Sequence, residues 1–151
     1  MKRHTAHRRG DTKAQALVEF SLVLIPFLLI LMGIFDLGRG IYMQNGIAEA
    51  AREIARVTAV HQCASPCSLG NSAETTGVVA TQKGMVPGLG GPGASITFAC
   101  TALTGTIVPG SPCAGGNFIR VTVSVPFSVI TPVLSMVAPS TLSSTARIEV
   151  P

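Results

Sequence analysis

The chain has 151 residues, 12% of them charged, and a mean hydropathy of +0.50. That length allows one modest domain, and a charge content at roughly half the usual globular share excludes a disordered or solvating tail and points to a membrane-associated class. Lys2, Arg3, Arg8, Arg9 and Lys13 against Asp11 place the whole net charge of +4 before residue 14. The neutral remainder lacks the spread basic face with aromatic support that a nucleic-acid partner requires.

Residues 1–14 form a basic flank, which the positive-inside rule places in the cytoplasm. From Ala16 to Phe35 there are 20 residues with Glu19 as the sole charge, enough at about 1.5 Å per residue to cross a hydrocarbon core of about 30 Å. A cleaved secretory signal has a shorter apolar core of about 7–15 residues and a small-x-small cleavage site. Here the core is longer and runs into "DLGRGIYMQN", so residues 15–35 are expected to be a retained transmembrane helix, with lipid as its surroundings. Pro26 removes one backbone hydrogen bond within it, a defect that membrane helices tolerate.

Residues 36–60 continue in helical register, with Ile47, Ala51, Ile54 and Thr58 recurring at intervals of four, three and four. Glu49, Arg52, Glu53 and Arg56 lie mostly off that stripe at spacings suited to ion pairs. Gly38, Gly40 and Gly46 weaken the middle of the helix.

After His61 the composition turns to Cys, Pro, Ser, Gly and Thr, which predicts a β-and-loop outer domain over residues 61–151. The best strands are "ASITFAC" at 94–100, "NFIRVTVSVPF" at 117–127 and "STARIEV" at 144–150. In the middle one, Ile119, Val121, Val123 and Val125 alternate with Arg120, Thr122 and Ser124, as in a strand with one buried face. Residues 128–138, "SVITPVLSMVA", are too short for a second span and are expected to form a loop or short helix over the sheet. The fold class is α+β: a long N-terminal helix, half in lipid and half amphipathic, with a small antiparallel sheet packed on its outer half.

Cys63, Cys67, Cys100 and Cys113 all fall on the side assigned to the outside. An even count in a small domain of an oxidising compartment reads as two disulfides, with three connectivities open. Structural zinc is the rival, but it favours two closely spaced Cys pairs, and Cys100 and Cys113 are too far apart in sequence to form one.

Little else carries chemistry. "GLGGPG", Gly88 to Gly93, satisfies G-x-G-x-x-G without a strand before it or a helix after it, and is read as a loop. His4 and His7 lie in the basic flank and His61 stands alone near the helix end. No nucleophile–base set, metal cluster or cofactor motif emerges, and the chain is not expected to be an enzyme. Glu19 is the exception that asks for a role. A carboxylate within a span costs on the order of 2.5–3.5 kcal/mol at the bilayer centre, so it needs nearby headgroups, a partner or a function.

The stretch "QALVEFSLVLIPFLLILMGIFDLGRGIYMQNGIAEAAREIARVTAV", Gln15 to Val60, resembles the start of TadE-like proteins, pilin-like components of the Flp/Tad pilus and secretion apparatus. The shared pattern is Gln-Ala-Leu-Val-Glu-Phe, an aliphatic run with Pro, then Asp36, Gly38-Arg39, Tyr42, Ala50-Ala51-Arg52-Glu53 and Ala55-Arg56. "RVTVSVPF" and "TLSSTARIEV" are more loosely similar to the strand-rich end of the family. The resemblance implies a pseudopilin or minor pilin in the cytoplasmic membrane, N-terminus inside, whose helix packs with other pilin-like subunits. It further implies processing by a prepilin peptidase between Ala14 and Gln15, which makes Glu19 the fifth mature residue and Phe20 the sixth. The residue before such a cut is usually Gly. Here it is Ala14, and an uncleaved membrane-anchored surface binding module is the competing reading.

Overall fold

Ile47, Ala51, Ile54 and Thr58 are fully buried, and the surface that buries them is the face of the middle strand formed by Ile119, Val121, Val123 and Val125, also fully buried. A helix stripe of period 3.6 and a strand face of period two thus form one core. The computed structural model describes residues 11–131, 136 and 138–151. The basic flank before Asp11, and part of the 128–138 segment expected to cover the sheet, lie outside the described residues.

Helix α1 (Asp11–Val60) is one continuous element of 50 residues that runs through Pro26. It is followed by α2 (Ala73–Met85), β1 (Ser95–Thr101), β2 (Phe118–Pro126) and β3 (Thr141–Glu149). The strands form an antiparallel sheet in the order β1-β2-β3, with Val121 opposite Phe98 on one side and Ala146 on the other. The polar face follows the same register, with Thr122 between Thr97 and Thr145. The outer half of α1 packs on this sheet, and Ala50, Ala55 and Ala59 are buried beside the stripe. The expected ion pairs form along its solvent side, Arg52 to Glu49 at 3.5 Å and Arg56 to Glu53 at 2.7 Å.

The glycines read as weak points serve the packing. A Cβ at Gly40 would stand 3.4 Å from the Phe127 ring, and one at Gly46 would stand 3.4 Å from Val86. Both positions let the helix backbone come close to the domain. Gly88, in the Gly88–Gly93 loop, has φ +81° and lies against Val125, where a Cβ would meet a side-chain carbon at 2.9 Å. The loop is a turn between α2 and β1 fitted to the core.

Helix α2 corrects the reading of residues after His61 as strand and loop alone. Its β-branched and glycine content opposes a helix, but Ser72 caps it by accepting from the Thr75 amide at 3.1 Å. Glu74 and Lys83 stand at the ends that suit the helix dipole. The start of α2 also finishes α1: Ser72 Oγ and Thr75 Oγ1 donate to the His61 carbonyl at 2.7 and 3.0 Å. The N-terminus of α2 therefore supplies partners for the end of α1.

The cysteines pair as Cys63–Cys67 and Cys100–Cys113, with none free. That pairing selects one of the three connectivities and sets aside zinc. Cys100 and Cys113 are buried in the core, and Gln62 holds the Cys113 backbone from the end of α1, donating to its carbonyl at 3.0 Å and accepting from its amide.

Ile54→Ala is expected to lower the unfolding free energy by about 2–5 kcal/mol, because a fully buried side chain is replaced by a cavity under β2. Loss of Cys100–Cys113 through paired Ala substitutions should cost about 3 kcal/mol, and loss of the shorter Cys63–Cys67 loop about 2 kcal/mol. Denaturant unfolding of the full chain in detergent, followed by circular dichroism, measures all three.

Candidate functional site

Two carboxylates bracket the apolar part of α1. Glu19 and Asp36 are 17 positions apart, about 25 Å along an α-helix. Between them Phe20 through Phe35 are mostly exposed, and among the described residues the outer domain comes near this surface at its outer end, around Ile30 and Ile34. By length and composition the helix is long and apolar enough to cross a membrane.

The four residues singled out at the N-terminal end lie in consecutive turns of α1. Ala14, Gln15, Glu19 and Phe20 are all exposed. Gln15 Nε2 donates to Glu19 Oε1 at 3.2 Å, the contact expected between helix positions four apart. The Ala14–Gln15 bond lies inside the first turns of α1, which begins at Asp11.

At the other end Asp36 is only 3% exposed. Its two oxygens accept from the Ile130 amide at 3.0 and 2.9 Å, and one of them accepts from the Thr131 amide at 2.8 Å. Three residues along, Arg39 donates to the Ser128 carbonyl and its guanidinium lies 5.2 Å from the centre of the Phe127 ring. The segment leaving β2 is thus bound by one acidic and one basic side chain of α1, at the point where the helix passes from its apolar half to its domain half. Sequence reasoning placed Asp36 only as a family position at the membrane boundary. A lone carboxylate closing an apolar run was the available signal, but its partners lie 94 and 95 residues away.

The remaining candidates are not gathered into a catalytic arrangement. Among the described residues, no group of three or more His, Cys, Asp or Glu is placed to hold a metal ion. His61, read as isolated, has Nδ1 3.9 Å from Glu74 of α2, a long surface contact. An apolar groove of about 600 Å³ opens beside Asp36, between α1 and the end of β2.

The amides of Ile130, first, and Thr131 hold the Asp36 carboxyl below the usual carboxylate range. A lowered folded value stabilises the structure above the unfolded value of about 3.9 and loses that contribution as pH falls below it. Hydrogen exchange should show the Ile130 and Thr131 amides protected at neutral pH and released on acidification as pH falls through the lowered Asp36 value. In Asp36→Ala both should be unprotected throughout; protection that survives the substitution would contradict this account. Glu53 is also lowered, by its hydrogen bond to Arg56, so the comparison with Asp36→Ala isolates the boundary carboxylate.

Residues 14–56 match the model of a family described as TadE-like protein. No curated protein and no solved structure matches the chain. The matched residues contain both bracketing carboxylates, Arg39, and the Ala50, Ala51 and Ala55 positions on which the sheet rests. The match covers less than half of the chain, and over residues 14–56 the chain is similar to TadE-like proteins.

Proposed function

We propose that the protein is a pilin-like structural or assembly component, a pseudopilin or minor pilin, of a Tad/Flp-type pilus. Residues 15–35 anchor it in the cytoplasmic membrane, residues 1–14 stay inside, and the disulfide-bonded domain faces outward. The observation that carries this reading is the TadE-like match over residues 14–56, which falls on a helix whose apolar surface from Leu17 to Phe35 is largely exposed. Such a surface is served by lipid and by the helices of other pilin-like subunits.

Glu19 is the residue that gives these helices a register. A carboxylate left alone in hydrocarbon becomes protonated or takes a partner. Cleavage between Ala14 and Gln15 by a prepilin peptidase supplies one, an α-amine with an ordinary pKa of about 7.7–8.0 and so largely protonated near neutrality. Gln15 and Glu19 already lie one turn apart on one face, their side chains in contact. The new amine answers Glu19 of its own chain or of a neighbour, and the intermolecular pairing fixes how far one helix slides along the next. The chemistry required of the protein itself is packing and pairing, with no catalytic step and no cofactor.

Ala14 in place of the usual glycine favours one second reading, an uncleaved anchor for a surface binding module.

Glu19→Gln and Glu19→Ala should leave the protein inserted in the membrane and remove it from sheared pili, as read by immunoblotting of the two fractions. Normal incorporation of either variant would refute the pairing. N-terminal sequencing of protein extracted from its native membrane should begin at Gln15; a start at Met1 or Lys2 supports the uncleaved anchor.

A further inference from the structure

The apolar surface of α1 does not stop where the span was expected to end. Leu37, Ile41 and Tyr42 are 65%, 54% and 67% exposed, and Ile130 on the outer domain is 66% exposed beside them. From Phe35 to Tyr42 the helix advances about 10 Å, somewhat more than the headgroup layer on one side of a bilayer, about 5–8 Å. Tyrosine is a residue of that interfacial layer.

The groove beside Asp36 lies at the same level. Its walls are almost wholly apolar, and its helix side starts at Ile30, within the apolar run, and climbs through Ile34, Leu37 and Ile41. Phe127 and Leu142 supply the domain side. The groove is therefore continuous with the lipid-facing surface of the helix, and whatever surrounds Ile30 has access to it. The two charged residues of this stretch are withdrawn from it in different ways. Asp36 is saturated by the Ile130 and Thr131 amides, and Arg39 is turned onto the Ser128 carbonyl and the Phe127 ring. Asp36 therefore needs no bulk water at this depth, and the exposed Arg39 guanidinium keeps donors free for the headgroup layer.

We propose that the membrane-proximal rim of the outer domain is seated in the outer leaflet, with a phospholipid acyl chain lying in the groove between α1 and the segment after β2. The inference rests on residues 15–35 being a membrane span and goes beyond it: the domain is held against the bilayer, with Ile130 dipping into it. The far end of the domain stands clear. β2 runs from the distal turn to the rim over about 27 Å, so Leu103, exposed on the turn after β1, is out of reach of lipid.

The chain contains no tryptophan, so single reporters are clean. Ile130→Trp, Leu103→Trp and, within the span, Leu28→Trp are each introduced into the full chain, which is reconstituted in phosphatidylcholine vesicles with and without bromine on the acyl chains. Ile130→Trp should be quenched by the brominated lipid several-fold more than Leu103→Trp, with an emission maximum shifted to the blue. If Leu28→Trp is quenched and Ile130→Trp is not, the seating is wrong while the span stands. If neither is quenched, the span reading falls and this one with it. A blue-shifted but unquenched Ile130→Trp would show protein, such as a second copy, in place of lipid, and would also overturn the proposal. Leu37→Trp, on the helix side of the groove, gives the same reading should Ile130→Trp fail to fold.

Discussion

Ile47, Ala50, Ala51, Ile54 and Ala55 put little side-chain thickness between the backbone of α1 and the valines of β2. Alanine at this interface keeps the helix close to the sheet, and the larger isoleucines fill the space that remains. Burial of each large aliphatic side chain is worth about 1.5–3 kcal/mol, so a few such residues carry much of a small domain. The two disulfides and the Gln62 clamp supplement this core where the chain is rich in loops. Among the described residues, α1 is the element that packs most extensively on the sheet, so the placement of the outer domain depends on this contact.

One helix then carries two apolar surfaces. Its outer half spends its stripe on the sheet, and its inner half leaves an exposed apolar surface long enough to cross a membrane. Asp36 stands at the change. Because its carboxylate is answered by backbone amides of the segment after β2, the domain is fastened at the level where the helix leaves its apolar half. The TadE-like match runs through both halves and stops at Arg56, close to the end of the helix. The part of the chain matched to the family is thus the helix that carries both the apolar run and the face packed on the sheet.

Much of this was legible in the sequence because periodicity reports burial directly. The intervals of Ile47, Ala51, Ile54 and Thr58 and the alternation of Ile119, Val121, Val123 and Val125 each named a buried face, and the three strands fell within a few residues of their expected ends. Helix α2 was not legible from composition, since Thr75, Thr76, Gly77, Val78 and Val79 are poor helix formers. Its stability depends on Ser72 and Thr75 meeting the His61 carbonyl, a tertiary contact. The Cys100–Cys113 pairing and the partners of Asp36 were hidden for the same reason: both join positions whose proximity depends on the strands being in place. The packing role of Gly40 and Gly46 was not legible either, because helix propensity records only the missing side chain, whereas Phe127 and Val86 approach the space it leaves. Of the candidate site, Glu19 was conspicuous from sequence because its neighbours are apolar; its contact with Gln15 follows from helical spacing.

The central claim is that the unpartnered surface around Glu19 is met by other pilin-like helices. A photoreactive amino acid at Leu22, one turn beyond Glu19 and exposed, tests it in the native membrane. Illumination should yield adducts between this chain and pilin-like subunits that disappear when Glu19 is replaced by Gln. Adducts to lipid alone, or protein adducts indifferent to Glu19, would contradict the account.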